Sequence, residues 1–189
     1  MIKTPRISGL RILICLLILG MTQLVYTQET YKTTSGEVRF NASTPLEDIK
    51  AANREVNAIL KTESGNFATV LLMKDFDFRR KLMQEHFNEN YAESDRYPKS
   101  YLSGTIQNFR IAELGSEPKT FQLNGKLTIH GVTRNFNSEV SLRKRSDAID
   151  LQSEFMIQPE SFDIEIPTLL FKKIAQEVMV SVNFKLKKQ

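Results

Sequence analysis

The side chains able to do chemistry are few and poorly grouped. His86 and His130 are the only histidines, neither sits in a His-Glu-x-x-His pair, and a zinc site asks for three or four protein ligands. Asp75 with Asp77, and Asp163 with Glu165, are spaced i, i+2. That spacing puts both carboxylates of a pair on one face of an extended segment. Acid–base work on a glycoside needs two carboxyl groups facing each other across a cleft; no cleft marker accompanies either pair, so both read as solvated faces. There is no Gly-x-Ser-x-Gly elbow, and the 8 glycines do not cluster into a phosphate cradle. Asn41-Ala42-Ser43 is formally a glycosylation acceptor, which matters only in a host with that machinery. No enzyme, metal or cofactor is expected. The one catalytic arrangement left to test is Asp163 meeting His130 at a barrel mouth, which requires hydrogen-bond reach between them.

Charge points away from nucleic acid. The net charge of the 189 residues is +4, but Lys3, Arg6 and Arg11 account for three of the 26 Lys and Arg in a leader that has no acid. That leaves 23 cations against 22 Asp and Glu, too little excess to hold a phosphate backbone. Arg143-Lys144-Arg145 and the terminal Lys185, Lys187 and Lys188 read as the outward faces of strands, where lysine also discourages edge pairing. Contact with an anionic membrane surface stays open.

The leader itself is informative. A short basic stretch to Arg11 precedes Ile12-Leu13-Ile14-Cys15-Leu16-Leu17-Ile18-Leu19, and polar residues return at Thr22-Gln23 before Val25-Tyr26-Thr27. This is the layout of a secretory signal peptide over residues 1–27, with the mature chain at 28–189. The apolar run falls short of the roughly 20 residues of a spanning helix; an uncleaved anchor over Ile12 to Tyr26 is the alternative. Bulky Ile14 before Cys15 argues against lipoprotein processing. The single cysteine thus lies in the leader, so the mature chain has no disulfide framework and no thiolate. An exported, periplasmic or secreted, protein is expected.

The elements that must position everything else alternate with period two. Val38 and Phe40, Val56, Ala58 and Leu60 (less cleanly), Leu102, Gly104 and Ile106, and Phe121 to Ile129 each share a parity. So do Phe136, Val140 and Leu142, then Ile149, Leu151, Phe155 and Ile157, then Val178 to Leu186. Phe67 to Met73 is apolar on both faces. Each segment has an apolar and a polar face. The spacing predicts an all-β fold with one or two short helices: an antiparallel barrel of about eight strands in one domain. Helices are expected over Asp77–Tyr91, where Met83, Phe87 and Tyr91 recur at four, and over Thr168–Gln176, with a helical turn at Thr44 to Ile49. Turns are expected at Gly115 to Pro118, Gly131 to Thr133 and Arg145 to Asp147.

Certain strings carry a resemblance. Tyr97-Pro98 follows the helix ending His86-Phe87-Asn88-Glu89-Asn90-Tyr91; then come Gly125-Lys126-Leu127-Thr128-Ile129-His130-Gly131-Val132-Thr133 and Asp163-Ile164-Glu165-Ile166-Pro167. From about Ser35 to Leu186 the chain resembles the YceI-like family of exported, lipocalin-like bacterial proteins, some of which bind polyisoprenoid or other long-chain lipids. Arg79-Arg80-Lys81-Leu82 stands where that family commonly has Arg-Asp-x-His-Leu, so any role of that Asp or His is absent. The resemblance implies a long-chain lipid or isoprenoid partner and a non-catalytic barrel. An eight-stranded barrel either fills with side chains or holds one small ligand. A ligand would be walled by Val38, Phe40, Leu102, Ile106, Leu123, Leu127, Phe155, Val180 and Phe184, with His130 and Arg134 as headgroup candidates. The competing reading is a filled barrel acting as a structural or interaction protein of the cell envelope.

Export with cleavage near Thr27–Gln28 is directly testable. N-terminal sequencing of the exported protein should start at or close to Gln28, and a mature chain retaining Met1 would overturn the assignment.

Overall fold

In the computed structural model, which describes residues 29–189 apart from Phe171, the alternating segments form nine strands. They are β1 (Thr30–Asn41), β2 (Lys50–Lys61), β3 (Asn66–Leu72), β4 (Asp77–Phe78), β5 (Lys99–Ile106), β6 (Lys119–Ile129), β7 (Val132–Arg145), β8 (Ala148–Ile157) and β9 (Val178–Lys188). Eight pair antiparallel in the order β1-β9-β8-β7-β6-β5-β3-β2, and β1 pairs with β2 to close the ring. Closure removes the free edges that an open sheet would expose. The fold is therefore all-β, a closed eight-stranded antiparallel barrel with short helices, as the alternation predicts.

β2 alternates cleanly over Val56–Leu60, with Ile59 outward, and is irregular just before that run. Gly36 of β1 faces Val56, but Val38 faces Asn53, so β2 carries an extra residue in a bulge. Asn53 is fully buried there, and its side chain satisfies the irregular backbone: Nδ2 donates to Leu72 O at 2.9 Å, and Oδ1 accepts from Glu55 N at 2.9 Å.

Four local expectations are corrected. Asp77 and Phe78 are strand, paired to Ala52 and Ala51 of β2, because Phe76 and Phe78 enter the core at i, i+2. The helix α1 therefore starts only at Lys81 and runs to His86, continuing as a π turn over Phe87–Tyr91. Thr168–Gln176 holds a single 3-10 turn, Thr168–Leu170, since so short a segment cannot offset the cost of helix nucleation. Between β1 and β2 the chain makes a tight bridge, Thr44 with Glu47, rather than a helical turn. The β6–β7 turn is His130-Gly131, both with positive φ (52° and 75°), so Val132 already belongs to β7.

Strand direction sorts the connections by end. Residues 42–49, 73–98 and 158–177 cover one end, and 62–65, 107–118 and 146–147 close the other. The closed end is solid: Tyr31, Val56, Leu60, Ile106, Leu142 and Ile149 are each 1% exposed or less. Phe109 seals it, its ring 5.8 Å from that of Phe121. At mid-barrel Phe184 lies across β1 at Gly36, where even a Cβ would come within 2.4 Å of the ring. Phe67 stacks on the other side at 6.2 Å. These two rings separate the filled half from the half beneath the covering segments.

Two truncations test this division. Leu142→Ala in the filled half should cost about 2–5 kcal/mol in denaturant unfolding, as buried leucines do. Leu127→Ala on the other side of the floor should cost clearly less, because that side chain already borders empty space. Equal losses would mean that both halves are packed alike.

Candidate functional site

Above the Phe67–Phe184 floor the barrel is hollow. The cavity measures about 360 Å³, within the range of about 300–1,000 Å³ for small-molecule sites. It has room for roughly a dozen water- or methylene-sized groups. Val38 and Phe40 of β1, Leu102 of β5, Leu123 and Leu127 of β6, Phe155 of β8, and Val180 and Phe184 of β9 all line it. They converge because each occupies the inward parity of its strand. Ile106 does not reach the cavity: it lies below the floor, 1% exposed, in the filled half.

Much of the roof escaped the reading of the sequence. Phe40 meets Phe76, Phe78 and Phe87 at centroid separations of 5.2, 5.6 and 5.5 Å, an aromatic cluster joining β1 to the covering segments. From the other covering segment Ile164, Ile166, Leu170 and Ile174 face inward. The available signal was the complement of the carboxylate pairs. Asp77 and Glu165 lie on the outer side, flanked by the inward Phe76 and Phe78 and by Ile164 and Ile166, whereas Asp75 ends the 3-10 turn Met73–Asp75 and Asp163 is the left-handed residue after Pro159–Phe162.

Polar groups in the wall are mostly committed elsewhere. Ser100 Oγ donates to Thr128 O at 2.9 Å and Thr69 Oγ1 to Asn57 O at 2.8 Å. Burial raises the Tyr91 phenol above its ordinary range, which keeps it neutral. No group of three His, Cys, Asp or Glu among the described residues could hold a metal. His86 lines the cavity rim, on α1.

His130 and Arg134 stand outside the cavity wall and hold the cover down. The positive φ at His130 turns its ring off the strand's alternation. Its Nδ1 donates to Phe162 O at 3.2 Å, and Nε2 meets Glu93 Oε2 at 2.8 Å. The Tyr97 ring packs edge-on against it at 4.3 Å. Arg134 Nε donates to Ser161 O at 2.6 Å. The β6–β7 hairpin thus ties down two of the three covering segments, 73–98 and 158–177. His130 pairs with Glu93 rather than Asp163, so the expected Asp163–His130 couple does not form. The Arg143 and Arg145 guanidiniums both pair with Asp150, at 3.0 and 3.4 Å, which accounts for most of that basic cluster.

Two joins of the ring have short ladders, β2–β3 and β7–β8, and only at β2–β3 does another strand, β4, continue the pairing. β7 pairs with β8 only over Ser141–Arg145 against Gln152–Ala148; above that, Val132–Val140 and Ser153–Ile157 form no backbone ladder with each other. Side chains bridge instead. Ser153 Oγ donates to Glu139 O at 2.6 Å and lies 3.0 Å from Ser138 Oγ. Higher up, the half-buried rings of Phe136 and Phe155 meet edge-to-face at 4.8 Å. Both rings also line the cavity.

A closed antiparallel barrel with an apolar hollow open to one covered end is the architecture of a small-ligand binding barrel. The chain belongs to the YceI-like domain family, which matches residues 21–186. Comparison with curated proteins finds no match. Among solved structures, a polyisoprenoid binding domain from Saccharophagus degradans implicated in plant cell wall breakdown superposes with a TM-score of 0.74 at 14% identity, covering 86% of this chain and 99% of that one. BcnA of Burkholderia cenocepacia gives 0.68 at 14% identity, covering 80% and 95%. The Campylobacter jejuni YCEI protein gives 0.55 at 10%, covering 72% and 82%. At these identities the likeness establishes the shared fold.

The clamp predicts a local effect. His130→Ala should speed amide exchange in Glu93–Tyr97 and Pro159–Phe162 while the β1–β2 and β8–β9 ladders keep their protection. Unchanged exchange in both covering segments would show that His130 does not hold them.

Proposed function

We propose that the mature chain, residues 28–189, is an exported carrier that holds the tail of a long-chain amphiphile, isoprenoid- or fatty-acid-like, without transforming it. The observation that carries this reading is the one-ended apolar cavity above the Phe67–Phe184 floor. The polyisoprenoid binding domain that shares the fold supports it, as does a leader of signal-peptide layout, which lies outside the described residues. Val38, Phe40, Leu102, Leu123, Leu127, Phe155, Val180 and Phe184 are the proposed tail-binding wall. The headgroup would sit toward the covered end, near the segments that His130 and Arg134 secure. A periplasmic or secreted location gives such a carrier access to envelope lipids.

Tail length should set affinity. A buried methylene is worth ~0.8 kcal/mol, about a fourfold gain in binding. The floor stops the tail at mid-barrel, so the gain ends when the hollow is full. Titration of delipidated protein with saturated fatty acids, read by displacement of fluorescent cis-parinaric acid, should show affinity rising to about a dozen carbons and then levelling. Val180→Trp, which fills the hollow, should abolish displaceable binding while the circular dichroism stays native. Absence of saturable binding to the unmodified protein would favour the filled-barrel reading, in which the chain acts through its surface.

A further inference from the structure

Resting on the carrier reading, we infer that the unladdered join between β7 and β8 is a side portal through which a single unbranched apolar chain enters the cavity, with Phe136 and Phe155 as its gate. Three observations meet at this place. The backbone ladder that closes the barrel stops at Ser141 and Gln152, whereas β6–β7 and β8–β9 are paired along their whole facing lengths up to Val132 and Ile157. The two rings across the gap line the cavity on one side and are part-exposed on the other. Separating them costs one edge-to-face aromatic contact and no main-chain ladder, whereas parting β1–β9, β3–β5, β5–β6, β6–β7 or β8–β9 at this height breaks a ladder, and above the short β2–β3 ladder β4 continues the pairing on β2.

The limits of the portal are built in. At its lower edge the Ser153 and Ser138 hydroxyls bridge the strands, Ser153 Oγ reaching Glu139 O at 2.6 Å. At its upper edge the 3-10 segment Pro159–Phe162 is held onto β7 by Arg134 Nε, which donates to Ser161 O. Below the Arg134 contact a slot the width of one alkyl chain can open when the serine bridge lengthens and the two aromatic side chains rotate, with the covering segments still clamped by His130. Entry from the covered end would instead require breaking the Phe40–Phe76–Phe78–Phe87 cluster and the His130 contacts together.

The test is a reversible lock. Among the described residues there is no cysteine, and the 3.0 Å between the two hydroxyls puts a disulfide within reach for a Ser138→Cys/Ser153→Cys variant. Stopped-flow uptake of cis-parinaric acid should slow about tenfold or more in the oxidised form, with little change in the final amplitude, and recover on reduction. Phe136→Ala should do the opposite, raising the association and dissociation rates together. Equal uptake rates in the oxidised and reduced forms, or an unchanged association rate in Phe136→Ala, would overturn the portal while leaving saturable binding and the carrier reading in place. No saturable uptake by the wild-type protein would remove the carrier reading and the portal with it.

Discussion

The contact of Phe184 with Gly36 organises the molecule. Because residue 36 has no side chain, the ring of Phe184 can lie against β1 and still stack with Phe67 across the barrel. These two stacked rings at mid-height then floor the interior. Side chains of ordinary size fill the volume below, and that half supplies the dense packing from which a barrel of this size takes most of its stability. The half above need not be filled, because the roof segments and their aromatic cluster keep water out of it. A β-carbon at residue 36 would displace Phe184, and the division between foundation and container would go with it.

The container is closed by contacts of a different kind. Its walls are hydrogen-bonded ladders, but its roof is held by a few polar contacts centred on the His130-Gly131 turn and by apolar side chains from two non-strand segments. Local opening free energies are lowest where backbone ladders are absent, so motion is expected in the roof and at the β7–β8 join rather than in the floor. A rigid base with a softer upper half suits a protein that must admit and release an apolar chain without unfolding.

Much of this architecture was legible in the residues. Strict alternation in β6, β8 and β9 marks the inward set, because a one-residue slip would expose all of it, and Leu123, Leu127, Phe155 and Val180 accordingly reach the hollow. What alternation cannot reveal is height along the barrel: Ile106 and Leu102 share a parity on β5, yet one packs below the floor and the other lines the cavity. Helical spacing misled where tertiary pairing prevailed. Phe78 fits a helix in the sequence but is captured by Ala51 of β2. His130 shows the same limit, since the positive φ of a two-residue turn overrides the face that alternation assigns. The roof was hidden for a further reason: its Ile and Phe residues come from short runs with no regular period, and only the topology brings them together.

A barrel filled below and hollow above is a claim about where space lies, and xenon reports space directly. Apolar cavities stay dry and bind xenon, whereas packed cores exclude it. Crystals of the delipidated mature protein under xenon pressure should show anomalous density among Phe40, Leu127, Phe155 and Val180, and none among Leu60, Ile106, Leu142 and Ile149. Xenon absent from the upper half, or bound below the Phe67–Phe184 floor, would contradict the account.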